Sequence, residues 1–227
     1  MAASDVRTVL DVGCGNGIFT NMVVPDQIKV GLDQSRVALA NVDAPRVQAN
    51  AAWLPFPDNR FDAVVCMEML EHLPPDLFVL SLNEIQRVSG GYVLITVPFE
   101  EKLEYYQVIC PAYLFSFHPF HHLRSFKRSD FKNLLDSDYH LEKLEAVVLK
   151  KVEIFPAFWN FIRSYLHRKG RNFPGDTICP QCGYMLVANM VSTKTIPPTH
   201  SIRSSLGRLW PKHTSYTWWM ALYAKNV

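Results

Sequence analysis

The sequence lacks several features that would assign it to a membrane, a nucleic acid or a disulfide framework. No uninterrupted apolar run in the 227 residues is long enough to cross a bilayer, and no signal peptide opens the chain. Lysine and arginine total 23 against 21 acidic residues, so the net charge of +2 does not indicate nucleic-acid binding. Five cysteines are an odd number, which argues against paired disulfides. We therefore expect a soluble, cytoplasmic protein whose contact with membranes is at most peripheral.

The most informative stretch is Thr8–Gly17, which reads T-V-L-D-V-G-C-G-N-G. Its apolar first half predicts a buried strand, and the residues from Ile18 onward predict a helix. The turn between them lets the backbone approach a ligand closely because it contains Gly13, Gly15 and Gly17. Ile18 occupies the place of the last glycine in a dinucleotide fingerprint, so NAD is not favoured. Asp11 could instead hold the loop and face an ammonium group, which favours a zwitterionic ligand without phosphate.

This stretch resembles the first motif of the class I S-adenosylmethionine (SAM)-dependent methyltransferases, which is close to D-V-G-C-G-N-G. The resemblance covers residues 8–98 well and includes the type-11, ubiquinone-type and glycan-assembly-linked methyltransferases. It implies a doubly wound, Rossmann-like sheet, with SAM as cofactor and S-adenosylhomocysteine as product. The positions that it assigns to cofactor binding are Asp11, Gly13, Cys14, Gly15, Gly17, Asp33, Gln34, Asn50, Ala51, Leu54, Met67 and Glu68.

Asp33 has two interpretations. It follows the apolar segment 28–32 and lies 20 residues after Gly13, about the distance at which an acid reaches ribose hydroxyls in a nucleotide fold. Its carboxylate could accept hydrogen bonds from both hydroxyls. The alternative is an N-cap for a short helix over residues 35–41.

The loop around Asn50 departs from the family pattern. The family has an acid here that accepts from the adenine amino group, and the amide oxygen of Asn50 can still accept that hydrogen bond. Ala51 would supply backbone to the ring edge and Leu54 an apolar face. Trp53 could stack on the adenine, but we expect it to be packed inside the protein.

Apolar segments alternate with helical patterns along the chain, which predicts a doubly wound α/β sheet. The predicted strands are residues 9–12, 28–32, 46–48, 61–66, 92–98, 141–150 and 217–225, and the predicted helices include residues 74–88 and 126–136. The resemblance implies seven mostly parallel strands with an antiparallel last strand, which we expect to close the sheet as an edge strand.

Two segments do not belong to this minimal fold. We interpret residues 1–227 as a single methyltransferase domain with one insertion at residues 99–125 and a second at residues 152–216. Both leave the sheet at the carboxyl ends of their strands, the edge at which open α/β folds bind ligands. We therefore expect the insertions to select the substrate.

Glu68, Glu71 and His72 follow the fourth predicted strand in the segment C-M-E-M-L-E-H-L-P. Residues at positions i, i+3 and i+4 share a face of a helical turn, so we expect these side chains to converge. One interpretation is a divalent-cation site, since the segment resembles the Glu-x-x-Glu-His of metal-dependent small-RNA 2′-O-methyltransferases, in which His122 would be a fourth ligand. The other is metal-free, with Glu68 lining the SAM site and His72 either structural or taking a proton from an acceptor hydroxyl. The predicted catalytic residues are His72, Glu71 and His122.

Residues 179–184 read C-P-Q-C-G-Y, which is the spacing of a zinc knuckle and half of a metal site. Residues 110–126 resemble the segment C-P-x-C-G-x-x-F-H-x-x-x-H-L-R-S-F of glycan-assembly methyltransferases, although Tyr113 replaces its second cysteine. The zinc ligands implied are Cys110, Cys179, Cys182 and His118, with His121 as the second choice for the histidine. Zinc would then join the two insertions into one lid. The alternative is that no metal binds and the three thiols are free.

The aromatic stretch 154–165 predicts either an interfacial helix or groove for a lipid-linked or quinone-like acceptor, or a cap helix packed on the protein body. Together the patterns predict a SAM-dependent O-methyltransferase acting on a small-molecule, saccharide or lipid-linked acceptor. The alternatives are a metal-dependent RNA 2′-O-methyltransferase and a non-catalytic SAM-binding subunit.

Overall fold

The computed structural model describes residues 6–22, 27–105, 107–147, 150–152, 177–186, 213–215 and 217–226. The chain divides into two compact units. The first comprises Met1–Glu100, Ser125–Val147 and Trp218–Val227, and the second comprises Glu101–Arg124 and Val148–Thr217. The aromatic stretch 154–165 lies outside the described residues. Within those residues, the helices are too short or too polar to cross a bilayer.

The first unit is built on a seven-stranded sheet. Its strands are β1 (Thr8–Val12), β2 (Ile28–Asp33), β3 (Arg46–Gln48), β4 (Phe61–Met67), β5 (Ser89–Pro98), β8 (Tyr139–Val147) and β13 (Trp218–Lys225). They lie in the order β3-β2-β1-β4-β5-β13-β8, and β13 runs antiparallel to both of its neighbours. The prediction of a doubly wound, mostly parallel sheet with an antiparallel last strand is confirmed.

The prediction that the last strand lies at the edge of the sheet is wrong. β13 lies between β5 and β8 and pairs with both, from Trp218 opposite Pro98 to Lys225 opposite Tyr139. Residues of β13 alternate between buried and half-buried, so the strand is covered on one face and pairs along both sides. β8 forms the edge instead, and its many exposed polar side chains fit that position.

The α-helices among the described residues are α1 (Ile18–Met22), α2 (Arg36–Leu39) and α3 (Pro75–Val88). α2 is capped by Ser35, whose hydroxyl accepts from the N–H of Ala38. α3 has proline at its first position, where the missing N–H costs nothing. Its buried side chains, which include Leu82, Ile85 and Val88, belong to the same core as the central strands.

The helix predicted over residues 126–136 is shorter and of a different type. It is a 3₁₀-helix at Arg128–Asn133, which buries Phe131. The carboxylate of Asp130 accepts from the N–H of Lys127 at its start, and the N–H of Asp136 donates to the side chain of Gln86 beyond its end. These side-chain bonds take up backbone groups that a longer helix would pair internally.

In its described parts, the second unit contains two hairpins, one further antiparallel pair of strands and a 3₁₀-helix at Leu103–Tyr105. The hairpins are β6 (Val108–Ile109) with β7 (Ser116–Phe117) and β10 (Thr177–Ile178) with β11 (Met185–Leu186), and the further pair is β9 (Lys150–Val152) with β12 (His213–Ser215). Its core is a separate cluster formed by Val108, Cys110, Phe117, Cys179 and Leu186, with Tyr184 packed against it.

Candidate active site

The glycine loop connects β1 to α1, and its first two residues are hydrogen-bonded to the neighbouring strand β2. The N–H groups of Gly13 and Cys14 both donate to the carbonyl of Leu32, at 2.8 and 3.0 Å. Gly13, Gly15 and Gly17 have φ angles of 75°, 54° and 79°, a region that side chains other than glycine rarely adopt. A Cβ on Gly13 would lie 2.6 Å from the Met69 side chain, whereas a Cβ on Gly15 would meet no described atom within 4 Å. Gly15 therefore borders open space.

Asp33, at the end of β2, is bonded directly to this loop. One carboxylate oxygen accepts from the N–H of Gly15 at 2.9 Å, and the other accepts from the N–H of Ser35 at 2.7 Å. The N-cap of α2 is Ser35 rather than Asp33. A carboxylate has about four acceptor positions, so each oxygen can accept one more hydrogen bond, such as one from a ribose hydroxyl.

Asp11 is buried beneath the loop. Its carboxylate is 3% exposed and accepts from the hydroxyl of Thr20 in α1 at 2.5 Å. Burial, assisted by the charge of Asp33 and opposed by the Thr20 hydrogen bond, raises the pKa of Asp11 to about 6. Asp11 therefore ties α1 to β1, and at neutral pH it is a buried negative charge beside the loop.

The thiol of Cys14 is held in its neutral form. Burial and the nearby charges of Asp11 and Asp33 raise its pKa to about 12. A neutral thiol is a poor nucleophile, so Cys14 serves the loop through its backbone and its packing against Gly31. Gln34, next to Asp33, is exposed, and its carbonyl accepts from the side chain of Gln48.

The loop predicted to bind adenine contains Asn50, Ala51, Trp53 and Leu54. The side-chain oxygen of Asn50 accepts from the N–H of Ala52 at 2.9 Å, and one acceptor position on it remains for another donor. Ala51 is half-buried, but Leu54 is only 5% exposed and belongs to the main core. Trp53, which we expected to be packed, is 61% exposed. It is therefore the aromatic side chain of this loop that a flat ligand could reach.

Glu68 follows Met67, the last and half-buried residue of β4, and does not lie on a helix. Its backbone is left-handed, with φ of 51°, and its N–H donates to the carbonyl of Thr96. Its carboxylate accepts from the Thr96 hydroxyl at 3.1 Å and from the indole N–H of Trp218 at 2.7 Å. A non-glycine residue in this conformation persists only where surrounding contacts impose it, and such residues are concentrated at functional sites.

The left-handed turn at Glu68 overturns the expectation that Glu68, Glu71 and His72 share one helical face. Only Leu70–His72 form a short 3₁₀-helix. Among the described residues, Glu68 is in none of the clusters of three ligand atoms that could hold a metal ion. The i, i+3, i+4 rule requires continuous helical backbone, and the φ of Glu68 interrupts it.

Glu71 and His72 do lie together. Glu71 is completely buried, while the His72 side chain is 40% exposed, and its Nε2 lies 3.9 Å from a carboxylate oxygen of Glu71. The same segment packs on the glycine loop, since Met69 is the side chain that contacts Gly13. An accessible imidazole backed by a buried carboxylate therefore lies in the segment that adjoins the candidate cofactor loop.

In the second unit, Glu101 pairs with two histidines. His122 Nδ1 lies 2.5 Å from one carboxylate oxygen, and His118 Nε2 lies 3.4 Å from the other. The two rings stack with their centroids 4.6 Å apart. Burial lowers the pKa of His118 against the opposing charge of Glu101, so this side chain is favoured as neutral imidazole. The sequence interpretation included both histidines and missed Glu101.

The hairpin formed by β6 and β7 carries the first of the three clustered cysteines. The N–H of Cys110 donates to the carbonyl of Phe115 at 2.9 Å, and the N–H of Leu114 donates to the carbonyl of Cys110 at 2.8 Å. Leu114 has a φ of 55°. Tyr113 is 64% exposed, whereas Cys110 is completely buried.

The hairpin formed by β10 and β11 carries the other two. The N–H groups of Cys179 and Gly183 donate at 2.9 Å to the carbonyls of Tyr184 and Cys179 respectively, and Gly183 has a φ of 70°. Backbone N–H groups also donate to sulfur, from Gln181 and Cys182 to Cys179 and from Tyr184 to Cys182.

The structure brings the sulfur atoms of Cys110, Cys179 and Cys182 within 4.8 Å of one another. His118, the first choice for a fourth ligand, is grouped with Glu101 and His122 instead. The Nε2 of His121, the second choice, lies 2.8 Å from the carbonyl oxygen of Ile178. The three thiols therefore form a group of their own within the described part of the unit.

Comparisons with known proteins agree with the geometry of the first unit. Residues 10–95 match the family model for a methyltransferase domain. The ubiquinone biosynthesis O-methyltransferase of Pseudomonas paraeruginosa is 29% identical over 158 residues, which cover 63% of this chain and 68% of the relative. The chain spans about half the length of most of the curated relatives that it matches.

Two solved structures are similar to this chain in fold. A SAM-dependent methyltransferase from Archaeoglobus fulgidus is 18% identical with a TM-score of 0.55, covering 98% of this chain and 87% of that one. A chain from a complex between the Haloferax volcanii Trm112 methyltransferase activator and a methyltransferase is 15% identical with a TM-score of 0.56, covering 97% and 83%. At these identities the likeness concerns the fold.

Proposed function

We propose that this chain, which carries a class I SAM-dependent methyltransferase domain, transfers the methyl group of SAM to a hydroxyl oxygen of a small-molecule, saccharide or lipid-linked acceptor. The observation that carries the proposal is the contact of Met69 with Gly13, which packs the segment bearing Glu71 and His72 on the glycine loop. The similarity to ubiquinone biosynthesis O-methyltransferases supports oxygen as the methylated atom.

Several side chains of the first unit suit the cofactor. Asp33 offers acceptor positions for two ribose hydroxyls while it holds the loop through Gly15. Asp11 places a negative charge near the position proposed for the ammonium group. Trp53 and Asn50 lie on the loop proposed for adenine, where an exposed ring can stack and an amide oxygen can accept from an amino group.

SAM, which the glycine loop and Asp33 would hold, would supply a methyl group on a positively charged sulfur that leaves as a neutral thioether. The hydroxyl proton must leave the acceptor, and His72 is exposed enough to take it. Glu71 lies close enough to stabilise the imidazolium that forms. Most of the rate then comes from holding donor and acceptor in line.

A second candidate is metal-dependent 2′-O-methylation of RNA, to which the sequence pattern assigns Glu68, Glu71, His72 and His122. The proximity of Glu71 to His72 favours it, and the engagement of Glu68 by Thr96 and Trp218 opposes it. A third candidate is a non-catalytic SAM-binding subunit. One similar structure is a chain from a complex with a methyltransferase activator. The test below therefore uses a lysate, which can supply a partner protein.

The test is to follow a labelled methyl group. Purified protein and labelled SAM are added to fractionated lysate, with and without a chelator, and His72→Ala is run beside the wild type. Label in a small-molecule, lipid or saccharide fraction that is insensitive to chelator supports the proposal. We expect His72→Ala to lower kcat by about 100-fold with unchanged SAM affinity.

Three other results overturn the proposal, each in a different way. Chelator-sensitive label in RNA favours the second candidate. SAM binding without label in any fraction favours the third. An absence of SAM binding by calorimetry contradicts all three assignments.

A further inference from the structure

The two cysteine hairpins of the second unit repeat one another. Residues 108–117 and 177–186 each form a two-residue ladder, a loop closed by the same pair of backbone hydrogen bonds, and a left-handed residue near the end of the loop. Cys110 of the first hairpin corresponds to Cys179 of the second by these bonds, and Tyr113 corresponds to Cys182. Two such loops present four equivalent positions, of which three are thiols and the fourth is a tyrosine.

We propose that Cys110, Cys179 and Cys182 bind one zinc ion as thiolates, and that the fourth coordination position is filled from solution. The sulfur atoms of Cys110 and Cys182 lie 3.6 Å apart. Tetrahedral zinc with Zn–S bonds of about 2.3 Å separates two sulfurs by about 3.8 Å. The same two atoms are too far apart for a disulfide, whose S–S bond is about 2.05 Å.

The backbone around the thiols is arranged as metal-bound thiolates require. N–H groups of Gln181, Cys182 and Tyr184 donate to sulfur, and donors of this kind orient a ligand and stabilise its negative charge. Cys110 and Cys179 are buried in the small core of the unit, so the site is built into the fold. Leu114 adopts the conformation that Gly183 adopts in the other hairpin, although leucine disfavours it. The repeated loop geometry is therefore maintained against a local cost.

No described side chain supplies the fourth ligand. Tyr113 is 64% exposed, and His118 is engaged with Glu101. His121 approaches the carbonyl oxygen of Ile178. Zinc sites with three protein ligands keep one position for water or an exchangeable ligand, whereas four protein ligands close the site. Water, or a small thiol that replaces it, is the ligand that this chemistry favours.

The test uses the reduced protein with cobalt(II) as a spectroscopic probe for zinc, and two variants. Tyr113→Cys gives the loop of the 108–117 hairpin the second thiol that the 177–186 hairpin already has. Ser116→Cys adds a thiol to the 108–117 hairpin outside its loop. We expect one metal ion per wild-type chain, and a sulfur-to-cobalt absorption that rises by about a third in Tyr113→Cys because four thiolates replace three. Ser116→Cys should match the wild type.

Ligand exchange tests the open position. Added imidazole or 2-mercaptoethanol should shift the visible cobalt bands of the wild type and leave those of Tyr113→Cys unchanged. The metal assignment is overturned if the reduced wild type binds neither zinc nor cobalt(II), or if Cys110→Ser binds them as well as the wild type does. The open position is overturned if Tyr113→Cys leaves the sulfur-to-cobalt absorption unchanged. These readouts do not involve methyl transfer, so their failure is distinguishable from failure of the proposed function.

Discussion

The two units of this protein differ in what organises them. The first has a continuous apolar core drawn from β1, β4, β5, β13 and α3, and its candidate site is formed by loops at the ends of those strands. In the second, the two cysteine hairpins have strands of two residues and a core that includes two cysteines. Hairpins of this size are not stable alone in water. The first unit can therefore fold before it binds a ligand, whereas in the second the proposed ligand is part of the fold.

Removal of metal should give the largest difference between the two units, because it should destabilise the second unit and leave the first unchanged. Chelation, or Cys182→Ser, should unfold the two cysteine hairpins, because metal-binding energy is folding energy in such sites. Hydrogen exchange measures the result: amides of residues 110, 114, 179 and 183 should lose protection, while amides of β1 and β4 keep theirs. Equal loss in both units, or in neither, contradicts the difference that we describe.

Asp33→Ala should disable the site of the first unit. It removes both proposed ribose contacts and the bond to the Gly15 N–H, so we expect SAM affinity to fall more than 100-fold by calorimetry. Asp76→Ala, which removes an exposed carboxylate from the first turn of α3, is the control and should bind normally. Unchanged affinity in Asp33→Ala would end the ribose assignment. The metal content of the second unit should be the same in both variants.

The buried Asp11 should make the stability of the first unit depend on pH. The pKa of Asp11 is raised to about 6 in the folded protein, above its ordinary value of 3.8, so the folded state binds this proton more tightly. Its contribution to stability is full below about pH 4 and is lost as pH rises through 6, by up to about 3 kcal/mol. Asp11→Asn should lack this loss. The measurement is the difference in unfolding free energy between the two proteins from pH 4 to pH 7.

Trp218→Phe and Trp219→Phe should have similar effects on stability but different effects on SAM affinity. Trp218 donates to the charged Glu68, and Trp219 donates to the backbone carbonyl of Phe126. Each change should lower the unfolding free energy by about 1–2 kcal/mol. Only Trp218→Phe should also weaken SAM binding, since Glu68 is the predicted cofactor contact. Equal SAM affinity in the two variants would show that Glu68 does not depend on this bond.

Leu114→Gly should give the smallest effect, a gain of about 1 kcal/mol in the opening free energy of its hairpin, because glycine adopts a φ of 55° without strain. Gly183→Ala should cost the other hairpin a similar amount. A Cβ on Gly183 would meet no described atom within 4 Å, so the cost is conformational rather than steric. Exchange rates of the amides at 114 and 183 report both changes. A loss of stability in Leu114→Gly, or no loss in Gly183→Ala, would show that the two loops are not equivalent.

The sequence predicted the first unit better than the second. Short apolar runs located β1, β2, β4 and β5 closely, because a strand of a parallel sheet that is buried on both faces leaves a continuous apolar pattern in the sequence. The predicted edge position of β13 was wrong, because the apolar pattern of a strand does not indicate which strands it pairs with. The convergence of Glu68 with Glu71 and His72 was also wrong, since a single left-handed residue ended the assumed helical turn.

The amino-acid sequence by itself determined the fold class, the glycine loop with its acids at residues 11 and 33, and the thiols at residues 110, 179 and 182. Each of these is a local pattern of apolar, small or ligating side chains. Only the tertiary structure decided that Trp218 contacts Glu68 across 150 residues, that His118 pairs with Glu101, and that the loops of residues 108–117 and 177–186 close with the same backbone hydrogen bonds. Such contacts depend on which backbone segments the folded chain brings together, and no periodicity or spacing in the sequence encodes them.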